Sequence, residues 1–389
     1  MRTLARFLSV FACFAATWAV TCAGAGAAGP AGAGAGPGAV GGPLLAGRGV
    51  IVSYPRGGPA KVPPLPDVAA SAFVVADAGT GQVLAAKDPH GLYRPASTLK
   101  VLTAVTLIPV LNPDAYVVAS PLAASTEPND AGLIAGDRYQ VAALFTALLT
   151  ISANDAAVAL AQATGSYSRG IAMMNAEAAR LGARDTVAVD PNGLDAPGQH
   201  TSAYDLALIA RQALALPAFM RYDQTRAAQF ELRPGHSETL YNQNRLLTQY
   251  PGGIGGKIGW TSAAGATYVG LARRHGVTLI VTLLHCPSLT EIASAEQLLT
   301  WGFAADGKVA PVGALVRPAV AAGVTRNAVS RPAHTSPASH APGTPTAPAG
   351  ASDPSDTGGI VAAVFTGIAV LLAGLGFAAS RRRRPPKIG

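Results

Sequence analysis

Ala72-Phe-Val-Val-Ala-Asp77 and Gln82-Val-Leu-Ala-Ala86, joined through Gly79-Thr80-Gly81, open the part of this sequence that carries a fold. Two apolar runs of strand length around a glycine-bearing turn predict a β-hairpin. The pattern returns further on, where residues 267–272 and 277–284 flank Arg274-His275-Gly276. Between the hairpins the periodicity is helical. Residues 98–109 read as a buried helix, and 141–163 as an apolar helical region broken around Ser152. A closing helix follows over 290–303. Strands from both ends of one unit, with helices between, predict an α+β domain: an antiparallel sheet formed by the N- and C-terminal segments, plus a helical lobe. The limits of that domain are set at 67–306, and no internal repeat is visible.

What lies outside those limits has another composition. Met1-Arg-Thr-Leu-Ala-Arg6 is basic, residues 7–20 are apolar but too few to span a bilayer, and Ala23-Gly-Ala25 offers small side chains for cleavage. Residues 1–25 thus read as a signal peptide. Cys22 sits in Val20-Thr-Cys22, a poor lipobox. Residues 26–66 are rich in Gly, Ala and Pro, residues 307–359 in Pro, Ala and Thr, and both are expected to be disordered or linker segments. Residues 360–379 carry no charge over a length of ~30 Å, enough for a transmembrane helix. Asp353 and Asp356 precede that run, and Arg381 to Arg384 follow it in a basic tail, 380–389. Positive residues stay on the cytoplasmic side, so a single-pass cell-membrane protein is expected, its folded domain on the cell-wall side.

The charge is informative mainly by its distribution. A net +8 with only 13% charged residues would raise the question of nucleic acid. The run Arg381 to Arg384 holds four of the positive charges, and the others form no stripe interleaved with aromatics, which excludes nucleic acid as a partner. Of Cys13, Cys22 and Cys286, only the last survives signal removal, so the mature chain has no internal disulfide. No Cys/His cluster has ligand spacing, and neither a metal nor an organic cofactor is expected.

Three short motifs carry chemistry. In Arg94-Pro-Ala-Ser97-Thr-Leu-Lys100, residues three apart on a helix share a face, which would aim Ser97 and Lys100 into one space. A serine needs a base, and a lysine serves when burial and nearby positive charge depress its pKa. Ile151-Ser-Ala-Asn-Asp155 interrupts an apolar stretch with polar groups that need partners if buried. Gly255-Gly-Lys-Ile-Gly-Trp-Thr261 places Lys257 on a strand whose glycines leave room for a ligand backbone. Each has a plainer explanation: a solvated lysine beside a helix start, a helix cap by Ser152 or Asn154, and a glycine-bulged edge strand.

Taken in order, with their wide spacing, the motifs resemble the S-x-x-K, S-x-N and K-T-G set of the penicillin-recognising serine enzymes. The match is closer to the D-alanyl-D-alanine carboxypeptidases among the low-molecular-mass penicillin-binding proteins. It extends through Gly136-Asp-Arg-Tyr-Gln-Val141, Asp190-Pro-Asn-Gly-Leu194, His200-Thr-Ser-Ala-Tyr-Asp-Leu206 and Asn242-Gln-Asn-Arg-Leu-Leu247. The resemblance implies a penicillin-binding-protein/β-lactamase-like domain that trims the terminal D-alanine from peptidoglycan stem peptides and is acylated by β-lactam antibiotics. It implies Ser97 as nucleophile and Lys100 as its base. Ser152 would relay a proton, and Asn154 would position Lys100 and the substrate. Lys257, Gly259, Trp260 and Thr261 would bind substrate, with the N–H groups of Ser97 and Trp260 as the oxyanion hole.

Ile258 departs from the family's threonine, removing a hydroxyl that would contact the substrate carboxylate; Thr261 is the candidate replacement. Many relatives carry a β-rich second domain where this chain is read as linker and anchor. Three other readings stay open: a D,D-endopeptidase, a β-lactamase, and a non-catalytic wall-binding protein of the same fold. Against the β-lactamase, Glu177, Glu231 and Glu238 all lack the sequence context of a deacylating glutamate.

Overall fold

The computed structural model describes residues 39–56 and 61–319. Strands β1 (Val50–Val52), β2 (Ala72–Asp77) and β3 (Gln82–Lys87) come first, and a 3-10 turn at Ala96–Leu99 then runs into α1 (Lys100–Leu107). The helical lobe holds β4 (Tyr116–Val118), α2 (Pro121–Ala124), β5 (Arg138–Gln140), α3 (Val141–Thr150), α4 (Asn154–Gln162), α5 (Tyr167–Leu181), α6 (Ala203–Leu214) and α7 (Pro217–Asp223). A hairpin of β6 (Ala227–Arg233) and β7 (His236–Tyr241) and the short α8 (Leu246–Gln249) lead to β8 (Gly253–Thr261), β9 (Gly265–Arg274) and β10 (Val277–Cys286). Helix α9 (Glu291–Ala305) and β11 (Gly313–Ala314) follow.

The main sheet has the order β1-β3-β2-β10-β9-β8 and is antiparallel throughout. The two anticipated hairpins meet where β2 pairs with β10, Phe73 opposite Leu283. Side chains alternate between faces with period two. Ala72, Val74 and Ala76 therefore enter one core beside Val269 and Ile280. Phe73 and Val75 enter a second, beside Tyr268, Val281, Leu298 and Trp301. With α6 over one face and α9 over the other, every residue of β2 is buried. Each large apolar side chain so buried contributes ~1.5–3 kcal/mol.

The sheet also recruits chain from beyond the expected limits of 67–306. β1 takes Ala85 to Lys87 on the outer edge of β3, and β11 takes Gln82 and Val83 on that edge. Leu45, wholly buried, closes the corner: a Cβ on Gly313 would lie 2.5 Å from its Cδ1. Residues 39–53 thus correct the expectation of disorder across 26–66, and 307–316 correct the linker boundary. Strands of two or three residues among Gly and Pro hold too few positions for alternation to show, and their pairing is made by backbone alone. The β4–β5 and β6–β7 ribbons were likewise not anticipated.

The expected signal peptide (1–25), transmembrane helix (360–379) and tail (380–389) lie outside the described residues. Among the described residues no helix is long and apolar enough to cross a membrane.

Candidate active site

Ser97 sits in the 3-10 turn rather than on the helix proper, one turn ahead of α1. In a 3-10 turn, residues three apart eclipse, so Lys100, the first residue of α1, still meets Ser97. The turn is held hard. The Pro95 carbonyl accepts from Thr98 Oγ1 at 2.6 Å and from Thr267 Oγ1 at 2.8 Å. Ala96 adopts φ +46°, a sparsely populated conformation for a residue with a side chain. Two glycines let the backbone close in. A Cβ on Gly193 would overlap the Ala96 carbonyl, and one on Gly259 would lie 2.7 Å from the Ser97 nitrogen and 2.9 Å from that of Thr98.

Lys100 is fully buried. Its Nζ lies 2.9 Å from Ser97 Oγ, 2.6 Å from Asn154 Oδ1 and 2.7 Å from the Asn192 carbonyl. Burial holds its pKa well below the usual lysine value, and the charge of Lys257 lowers it further. A neutral amine has two N–H donors and one lone pair. Asn154 and Asn192 account for both donors, which leaves the lone pair facing the Ser97 hydroxyl.

The break between α3 and α4 carries the second motif. Ser152 has φ +65°, and the Asn129 amide donates to the Ile151 carbonyl at 2.6 Å and the Ser152 carbonyl at 3.1 Å. Ser152 Oγ is buried without a hydrogen-bond partner. The capping explanation does not hold. Ala153 is the N-cap of α4 and no side chain caps it, while the Asn154 amide binds Lys100 and the Pro128 carbonyl.

β8 brings the third motif along the edge of the sheet. Lys257 is 2% exposed and donates to the Ile258 carbonyl at 2.8 Å, so it is not the solvated lysine of a plain edge strand. The register of β8 shifts between Gly253 and Gly255, and Gly255 and Gly256 follow with φ +153° and +129° beside the carboxylate of Asp223, which accepts the Gly256 N–H. Burial draws Lys257 down to about 7 and pushes Asp223 up to about 7. Trp260 is 59% exposed, its indole donating to Ser288 Oγ. Thr261 is committed elsewhere. It donates to Asp195 at 3.0 Å and accepts from the Ala264 N–H, and Arg94 pairs with the same Asp195 at 3.3 Å.

These elements frame a cleft of about 310 Å³. Ser97, Ser152, Asn154, Ile258, Gly259 and Trp260 line it, with Lys100 and Lys257 behind; Thr261 does not line it. Pro128, Asn129, Leu194, Gln243, Ala266, Leu289 and Glu291 complete the wall and were not singled out from the sequence. Nor was Asn192, although it falls inside the Asp190 to Leu194 run. For Leu289 and Glu291 no local signal exists, because only the packing of α9 beside β10 brings them to the cleft. Glu177 lies on α5 in a two-bond pair with Arg180 and does not reach the cleft. Cys286 is buried and its thiol is pushed up to about 12, which removes it as a nucleophile.

Comparison with known proteins finds relatives over the folded part of the chain. A family model described as D-alanyl-D-alanine carboxypeptidase matches residues 59–288. The D-alanyl-D-alanine carboxypeptidase DacB2 of Mycobacterium tuberculosis is 40% identical over 66% of this chain and 90% of its own length. The D-alanyl-D-alanine carboxypeptidase DacD of Escherichia coli is 32% identical, and this chain spans 64% of its length. A crystal structure of D-alanyl-D-alanine carboxypeptidase from M. tuberculosis aligns with TM-score 0.63 at 39% identity, covering 66% of this chain and 98% of that one. The Streptomyces K15 DD-transpeptidase aligns with TM-score 0.59 at 30% identity, covering 61% and 98%.

Proposed function

The chain belongs to the D-alanyl-D-alanine carboxypeptidase family of serine-type peptidases, and from that premise we propose how its cleft releases the terminal D-alanine of a peptidoglycan stem peptide. The Lys100 lone pair takes the Ser97 proton as Oγ attacks the carbonyl carbon of the penultimate D-alanine. The N–H groups of Ser97 and Trp260 receive the developing oxyanion. The close approach of β8 at Gly259 to the Ser97 nitrogen supports that assignment. Such a donor is worth ~3 kcal/mol in other hydrolases. Ser152, whose hydroxyl has no competing partner, relays the proton held by Lys100 to the nitrogen of the departing D-alanine, giving its own proton to the nitrogen and taking the one from Lys100. Lys257 attracts the terminal carboxylate. Water then cleaves the ester on Ser97 and returns the enzyme. β-Lactams acylate Ser97 by the same attack.

The observation that carries this reading is the arrangement at Lys100: a buried amine with both donors accepted and Ser97 Oγ at 2.9 Å. Purified protein is expected to bind fluorescent penicillin covalently and to release D-alanine from a pentapeptide, and Ser97→Ala is expected to lose both. Labelling that persists in Ser97→Ala would remove the nucleophile from this account. Cleavage of crosslinked dimers in place of pentapeptide would identify an endopeptidase, and rapid penicillin turnover a β-lactamase.

Export and tethering by residues 1–25 and 360–379 belong to the same proposal and suit work on the cell wall. Protease added to intact cells is expected to remove the catalytic domain and spare a tag placed after residue 389.

A further inference from the structure

Glu291, in the first turn of α9, lines the catalytic cleft and takes no part in acyl transfer. It is 9% exposed, and its Oε2 is buried without a hydrogen-bond partner. No ion pair among the described residues includes it. A carboxylate in a first helical turn gains from the helix dipole, but that gain needs neither burial nor a place on a cleft wall. A buried oxygen left unpaired lowers stability. At the wall of a ligand site such an atom is accounted for when the ligand brings the missing donor.

The wall around Glu291 points to the kind of donor. Ser288 Oγ accepts from the Trp260 indole at 2.8 Å, which fastens the segment before α9 to the strand of the third motif. Ile258, two residues before Trp260, shares its face of β8 and packs against the core beneath α9. Ile258, Trp260, Ala266, Leu289 and Glu291 thus form one side of the cleft, largely apolar, with a single carboxylate in it. A free carboxylate arriving there finds no hydroxyl on Ile258 and meets Glu291 as a like charge. A carboxamide keeps an oxygen for Lys257 and presents N–H donors to Glu291. We propose that Glu291 is a specificity-determining residue, which accepts an N–H from the departing residue and shifts the cleft from free-acid D-alanine ends toward ends whose carboxyl is a carboxamide. This rests on the reading of Ser97 as nucleophile and of the Ile258 side as the leaving-group end.

Glu291→Gln keeps the size of the side chain and one acceptor oxygen, removes the charge and adds a donor. Wild-type and variant full-length proteins are given a blocked tripeptide ending in D-alanyl-D-alanine, and the same peptide as its C-terminal carboxamide. Release of D-alanine and of D-alaninamide is measured. For the free acid, kcat/KM is expected to rise by about tenfold, because a like charge is gone and a donor gained. For the carboxamide it is expected to fall by about threefold, because its N–H loses a charged acceptor. The ratio of the two is insensitive to any loss of folded protein, since both peptides meet the same active population. Equal changes for both peptides, or none, would overturn the proposal and leave Glu291 as an acid that serves only the start of α9. Calorimetric binding of the two peptides to Ser97→Ala, with and without Glu291→Gln, reads the same ratio without turnover. Wild-type protein that neither reacts with fluorescent penicillin nor cleaves either peptide defeats the functional reading, and the binding ratio still decides the role of Glu291.

Discussion

Gly259→Ala adds one methyl group at the tightest point between the sheet and the nucleophile turn. Its Cβ would stand 2.7 Å from the Ser97 nitrogen and 2.9 Å from the Thr98 nitrogen, and would overlap Thr267 Oγ1. Carbon against nitrogen rests at ~3.5 Å, so β8 and the turn must part by roughly 0.5–1 Å. The turn cannot easily yield, because Pro95 is held by two hydroxyls and Gly193 presses on Ala96 from the other side. The strand must move, and with it the Trp260 N–H. An oxyanion donor works only within ~2.7–3.1 Å of the developing charge, and losing one costs ~10²–10³ in rate. Overpacking costs stability as well, about 1–3 kcal/mol. Stopped-flow acylation by fluorescent penicillin, paired with a thermal melt, separates the two effects. A variant that melts lower yet acylates at the wild-type rate would refute the placement of the oxyanion hole between Ser97 and Trp260.

Two further outcomes are expected. Ile258→Thr restores a hydroxyl on the cleft wall and should improve binding of carboxylate-bearing substrates by about 1 kcal/mol, or several-fold, with little effect on their carboxamide analogues; equal effects on both would refute carboxylate recognition there. Asp205, buried on α6 beside Asp185, has its pKa raised to about 7 by burial and that neighbouring charge. The folded state therefore holds a proton that the unfolded chain has already lost, so its contribution is complete below the ordinary aspartate range and disappears as pH rises to about 7. Asp205→Asn should flatten that part of the stability curve in denaturant titrations, and an unchanged slope would show that Asp205 ionises normally.

Much of the architecture was legible because burial on both faces leaves a mark on every residue of a strand. Ala72 to Asp77 and Val277 to Cys286 are apolar nearly throughout, and both hairpins lie where their turns predicted. The break at Ser152 was legible because polar residues interrupt an apolar helix, and the residue types of the three motifs named the chemistry. Ser97 and Lys100 could be paired from their spacing alone, since three residues of chain bring them together whether the turn is 3-10 or α. By contrast, β1 and β11 were hidden, because a short edge strand pairs through backbone groups common to every residue. The resemblance placed Thr261 at the cleft, yet its hydroxyl is taken up by Asp195 and the Ala264 N–H. Asn192, Asp223 and Glu291 lie far from the motifs in sequence. What Asn192 accepts from Lys100, and what Asp223 accepts from the Gly256 N–H, depends on distance and on the exclusion of water. Local sequence specifies neither; both arise only when α7, the Asp190 to Leu194 loop and β8 are packed together.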